Sequence, residues 1–103
     1  MSMKSFGDMV KQAQKVQQKM GELQEQFAEM RYEASAGGGM VKVVVDGKQR
    51  LKEIKISPEA LNEKDITLLE DLILTAIGEA QKTSEDQMQE SIAKVTGGFK
   101  LPF

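Results

Sequence analysis

Eight apolar residues near the start of the chain follow one another at alternating steps of three and four: Phe6, Met9, Ala13, Val16, Met20, Leu23, Phe27 and Met30. This is the heptad pattern of a helix that buries a seam along its length. No proline interrupts residues 5–31, so the spacing predicts one helix over that range. At about 1.5 Å per residue it is roughly 40 Å long. A compact domain of about 100 residues has a radius of gyration near 13 Å. Such a helix must project from the globule or be covered by a second chain.

The middle of the chain changes period. Met40 to Val45 is a β-prone run, Asp46-Gly47 is a hairpin signal, and Leu51 to Ile56 alternates as a strand would. Strands are expected at about 32–36, 40–45 and 50–56. A four-residue loop over 46–49 would set Lys42 opposite Glu53 and Val44 opposite Leu51. A two-residue loop would set Val43 opposite Arg50 and Val41 opposite Lys52. The first register pairs charges and apolar groups better. Gly37-Gly38-Gly39 is read as a tight link between strands, because a phosphate loop needs a following Gly-Lys-Ser/Thr and a helix.

Ser57-Pro58-Glu59 reads as a cap followed by proline at the first helical position, which predicts a short helix at 58–61. Asn62 or Asp65 then caps a long helix over 65–95. Ile66, Leu69, Ile73, Ile77, Ala80, Ser84, Met88, Ser91 and Val95 share one face of it. Its first half is apolar on several sides, as at a subunit interface; its second half, Gln81 to Lys94, should project into solvent. Gly78 within it points to close helix packing. Gly97-Gly98 is a helix stop. The segment Phe99-Lys100-Leu101-Pro102-Phe103 is apolar and is expected to pack on the body or on a partner subunit.

Composition narrows the chemistry. The 103 residues contain neither cysteine nor histidine, which removes disulfides, thiolate chemistry and the commonest general base and metal ligand. The sixteen acids are spread along helical faces with no acid–base constellation. The chain is therefore expected to be no enzyme, with no cofactor, no metal and no small-molecule substrate. The N-terminal stretch lacks the apolar core of a signal peptide. No apolar run reaches the roughly 20 residues that span a bilayer. A cytoplasmic protein without a membrane partner is expected.

The net charge is −2, but phosphate attraction acts over about 8 Å, so the local distribution matters more than the total. Lys4, Lys11, Lys15 and Lys19 fall within an arc of roughly 80° on the first helix, turned away from its seam. Gln14 and Gln18 flank them. Residues 1–21 carry these four lysines against the single acid Asp8, a net of +3. Residues 22–33 reverse the sign, with Glu22, Glu25, Glu29 and Glu33 against Arg31. Lysines on a helix surface are most often just a solvated face. Yet like charges four residues apart mildly destabilise a helix, and a stripe of them suits an anionic partner.

Met9-Val10-Lys11-Gln12-Ala13-Gln14-Lys15-Val16-Gln17, Ala36-Gly37-Gly38-Gly39-Met40-Val41-Lys42-Val43 and Asp46-Gly47 follow one another in order. Ile54-Lys55-Ile56-Ser57-Pro58-Glu59, Leu69-Glu70-Asp71-Leu72-Ile73 and Thr96-Gly97-Gly98-Phe99-Lys100-Leu101-Pro102 complete the series. In that order and spacing the chain resembles the YbaB/EbfC nucleoid-associated DNA-binding family over nearly its whole length, as a single domain spanning 1–103. The resemblance implies an α+β fold of α-β-β-β-α order, with long N- and C-terminal helices flanking a three-stranded antiparallel sheet. It also implies a tweezer-like homodimer with helical arms. It implies a bacterial protein located at the nucleoid, binding double-stranded DNA mainly through phosphate contacts, with a part in nucleoid organisation or gene regulation. The implied contacts fall on Lys11, Gln14, Lys15, Gln18 and Lys19, beside Lys4 of the same stripe, with Lys82 and Lys94 as weaker candidates. Glu85, Asp86 and Glu90 make the last arm acidic. Two alternatives share the helix–hairpin–helix order: a prefoldin-like chaperone and a dimeric protein–protein adaptor.

Overall fold

The computed structural model describes residues 3–61 and 64–95, with side chains from Ser5 onward. The Asn62 cap alternative, the Gly97-Gly98 stop, the apolar segment 99–103 and the side chain of Lys4 lie outside what is described. The order is α1 (Met3–Glu29), β1 (Tyr32–Ala36), β2 (Val41–Val45), β3 (Leu51–Ile56), α2 (Pro58–Leu61) and α3 (Ile66–Val95). The strands form one antiparallel sheet in the order β1-β2-β3.

α1 ends two residues before the expected limit. The Arg31 guanidinium donates to the carbonyls of Ala28 and Met30 at 2.9 and 2.8 Å. A cation there satisfies otherwise unpaired carbonyls and complements the negative end of the helix dipole. Tyr32 then starts β1 and donates its hydroxyl to the Met30 sulfur. At the other junction, Asp65 caps α3 by accepting the Leu68 N–H at 3.1 Å, and Ser57 Oγ accepts the Glu59 N–H at 3.1 Å to start α2.

The core lies between the sheet and the middle of α3. Val41, Val43 and Val45 point to one face of β2 and are fully buried against Ala76 and Ala80. Small residues at these helix positions let α3 lie close to the branched valines. α3 lies over β1 and β2. The inward face of β3 extends past it, so Leu51, Ile54 and Ile56 remain exposed.

Both expected registers for the second hairpin are corrected. Val41 pairs with Ile56, Lys42 with Lys55, Val43 with Ile54, Val44 with Glu53 and Val45 with Leu51, with an irregularity between Val44 and Val45. Apolar pairing on the core face prevails over charge pairing on the outer face. The bulge at Lys52 turns Leu51 to the Val45 side, where strict alternation would have put it outside. Lys42 and Lys55 therefore stand opposite one another, and Lys55 is compensated by Glu53 at 3.2 Å. The turn itself explains the slip. Asp46 Oδ1 accepts the N–H groups of Lys48 and Arg50 at 2.8 and 3.0 Å. Gln49 adopts φ +68°, which closes a three-residue loop in place of four or two. In the first hairpin, Gly37 (φ +65°) begins the turn against Leu72, whose Cδ1 would lie 2.9 Å from an added Cβ.

Gly78 has open space where a side chain would project. The expected close packing is therefore not found among the described residues, because the sheet meets α3 on the Ala76–Ala80 face and leaves Gly78 exposed on another.

Candidate nucleic-acid interface

α1 and α3 pass each other at the Asp46–Gly47 corner. The Gly47 N–H donates to the Phe27 carbonyl at 2.7 Å, and Ser84 Oγ donates to the Asp46 carbonyl at 2.7 Å. Both helices continue from this corner as an arm, α1 running toward the sheet and α3 away from it. Met20, Leu23 and Phe27 on one side, and Ser84, Met88, Ser91 and Val95 on the other, are buried or half-buried. The molecule is accordingly elongated, 72 × 22 × 16 Å, with a radius of gyration of 20.0 Å.

Asp46 anchors this corner. Its side chain is 1% exposed. Burial by itself disfavours its charge. The N–H groups of Arg50 and Lys48, then the charges of Lys52 and Arg50, outweigh that and hold its carboxyl below the ordinary range.

On the outer side of α1, Lys11, Gln14, Lys15, Gln18 and Lys19 are all exposed. Among the described residues none of these three lysines has a carboxylate within ion-pair distance. Successive turns bring neighbouring i,i+4 side chains about 5–6 Å apart at Cβ. The stripe is thus a ladder of solvated ammonium groups with amides between them. Lys82 and Lys94 are exposed on α3. Lys94 sits 3.9 Å from Glu90, which lowers its standing as a contact for an anion.

Two further charged groupings were not picked out from the sequence. Lys48, Arg50 and Lys52 crowd the hairpin at the root of the arm; their signal was three cations in five residues. Over the outer face of the sheet, Glu33, Lys42, Val44, Glu53 and Lys55 line an open hollow of about 230 Å³. Its equal numbers of acids and lysines give it no preference for an anion. Among the described residues no group of acidic side chains could hold a metal ion, and no helix is long and apolar enough to cross a membrane.

Fold and charge together define the class: a small α+β protein with a helical arm that is cationic toward its tip and carries its cations in solvent. Comparison with known proteins agrees. The model of the YbaB/EbfC DNA-binding family matches residues 3–99. A nucleoid-associated protein of Moorella thermoacetica is 45% identical over 102 residues, covering 99% of this chain and 98% of the relative. One from Pelotomaculum thermopropionicum is 44% identical over 98 residues, 95% of this chain and 93% of the relative. The crystal structure of an uncharacterized protein from Helicobacter pylori superposes with a TM-score of 0.78 at 20% identity, covering 94% of this chain and 99% of that one; it shows the shared fold. The chain belongs to the YbaB/EbfC DNA-binding family, which is not a known enzyme family.

Proposed function

We propose that this protein, acting as a single domain, forms a homodimer that holds duplex DNA against the lysine faces of its α1 arms. The observation that carries the reading is the set of exposed ammonium groups of Lys11, Lys15 and Lys19, which have no ion pair among the described residues. Lysines act on phosphates as point charges and release counterions; Gln14 and Gln18 can donate to phosphates or base edges. Lys4 belongs to the same stripe of the sequence, and Lys82 and Lys94 contribute less. Such contacts fix position on the duplex without reading sequence. They suit a protein of the nucleoid that organises DNA or tunes gene expression in the bacterial cytoplasm.

The dimer is supported by what one chain leaves uncovered. Leu51, Ile54 and Ile56 of the edge strand, with Leu61, Ile66, Leu68 and Leu74 of the adjoining helices, are exposed apolar residues. Exposed apolar side chains on an edge strand and on the helices that follow it in the chain suit an association surface.

The test is fluorescence anisotropy with a short duplex over a salt series. If about four to six phosphates are neutralised, log K falls against log salt with a slope near −4 to −5. Lys11→Glu and Lys15→Glu should weaken binding and flatten that slope by about one for each phosphate no longer neutralised. Unchanged affinity and slope would remove the site from α1. The bare tip of α1, with Phe6 and Met9 exposed, favours a second reading as a holder of apolar clients in the manner of prefoldin. Suppression of aggregation of an unfolded protein, without DNA binding, would select it.

A further inference from the structure

The turn between β2 and β3, at the root of the arm, is fixed from three sides. Within the turn, Asp46 Oδ1 accepts the N–H groups of Lys48 and Arg50 at 2.8 and 3.0 Å. The Gly47 N–H ties it to α1, and Ser84 Oγ ties it to α3. The Gln81 amide adds a third link from α3, donating to the Gln49 carbonyl at 3.1 Å. These bonds end on turn backbone or on the buried Asp46 carboxylate, and none engages the side chain of Lys48 or Arg50. Arg50 and Lys52 are exposed, and Lys48 is half-buried. Lys52 lies 3.9 Å from Asp46 and offsets its charge. Lys48 and Arg50 have no carboxylate within ion-pair distance among the described residues. The helix residues bonded to the turn, Phe27, Gln81 and Ser84, are uncharged. The turn thus presents two uncompensated cations on a frame that needs no reordering to meet an anion.

This patch does not continue the lysine stripe. Lys19 precedes Phe27 by eight residues, about 12 Å along α1. Toward the root the sign reverses. At about 100° per residue, the exposed Glu22 and Glu29 fall in the same arc as Lys11, Lys15 and Lys19. Phe27, whose carbonyl holds Gly47, points about 120° away from the middle of that arc. A duplex lying on the stripe meets carboxylates before it reaches the root, and the turn sits on a different side of the helix. We propose that Lys48 and Arg50 form a second phosphate-contact site, which takes a stretch of duplex separate from the one on α1. This rests on the reading of α1 as a DNA-binding arm. The chemistry is suited to a phosphate: Arg50 offers a planar fork that can hold it through two N–H donors, with Lys48 as a point charge beside it. One chain then holds two stretches of backbone at once and draws them together.

The test gives the full chain two duplexes, one biotinylated on beads and one labelled in solution. The labelled duplex is retained only where the protein holds both. Lys48→Gln combined with Arg50→Gln removes the charges and keeps the N–H groups that bond Asp46; the urea midpoint reports that the fold is kept. Anisotropy of a single short duplex should stay within about twofold for this variant, because the α1 stripe is intact, while retention falls about tenfold or more. Lys11→Glu combined with Lys15→Glu should weaken both readouts. Retention that is absent in the unaltered protein, or unchanged in the Lys48→Gln, Arg50→Gln variant, overturns the proposal. In the second case the two duplexes belong to the two arms of a dimer, and the arm reading stands. An equal loss of both readouts in that variant also overturns it, because one duplex then spans turn and stripe. If Lys11→Glu with Lys15→Glu leaves single-duplex binding unchanged, the arm reading fails and this proposal falls with it.

Discussion

At the scale of single residues, Asp46 and Gly47 tie the sheet to the arm. A Cβ on Gly47 would fall 2.6 Å from the Phe27 carbonyl oxygen and 2.7 Å from its Cα. Backbone cannot yield there as a side-chain tip can. Gly47→Ala should destabilise by about 1–3 kcal/mol, read as a lower urea midpoint. Asp46 carries a pH dependence. Its carboxyl titrates below the ordinary value in the folded protein. The stability it contributes is therefore complete above the unfolded pKa of about 3.9 and is lost as pH falls through the lower folded value. Asp46→Ala should cost about 1–3 kcal/mol near neutral pH, because two N–H groups are left without an acceptor. Asp46→Asn keeps an acceptor oxygen, should cost less, and should flatten the acid limb. Urea titrations of the three proteins at neutral and acid pH check both statements.

At the scale of elements, α3 is asked to do three things along its length. Its middle closes the core through Ala76 and Ala80, its far half backs α1, and its first half keeps Leu68 and Leu74 exposed. Gly78 lies among these roles without a neighbour. Glycine inside a helix is destabilising relative to alanine by about 0.5–1 kcal/mol. Gly78→Ala should raise the stability of the chain by about that amount in a thermal or urea titration. A decrease instead would place another copy's helix against this position. The strands show how local signals compete. The valines of β2 and the isoleucines of β3 decided which residues face each other, and the like-charged pair Lys42–Lys55 followed as a consequence.

At the scale of the whole molecule, one chain is elongated and leaves one side of its sheet edge apolar. Ile54→Glu and Leu74→Glu alter exposed residues outside the core cluster. If the chain dimerises through this face as proposed, sedimentation should show each substitution shifting that dimer toward monomer while circular dichroism keeps its helical content. DNA affinity should fall with them if both arms grip one duplex. Much of this architecture was legible from residue spacing alone. The long helices, the three strands and the lysine stripe follow from period, turn residues and charge, which are properties of neighbours along the chain. The hairpin register, the bulge at Lys52 and the close approach that requires Gly47 were decided only in three dimensions. Each depends on which distant surfaces meet, and that is set by the volume of Val41, Val43, Ala76 and Ala80 between sheet and helix and by the corner that the two helices share.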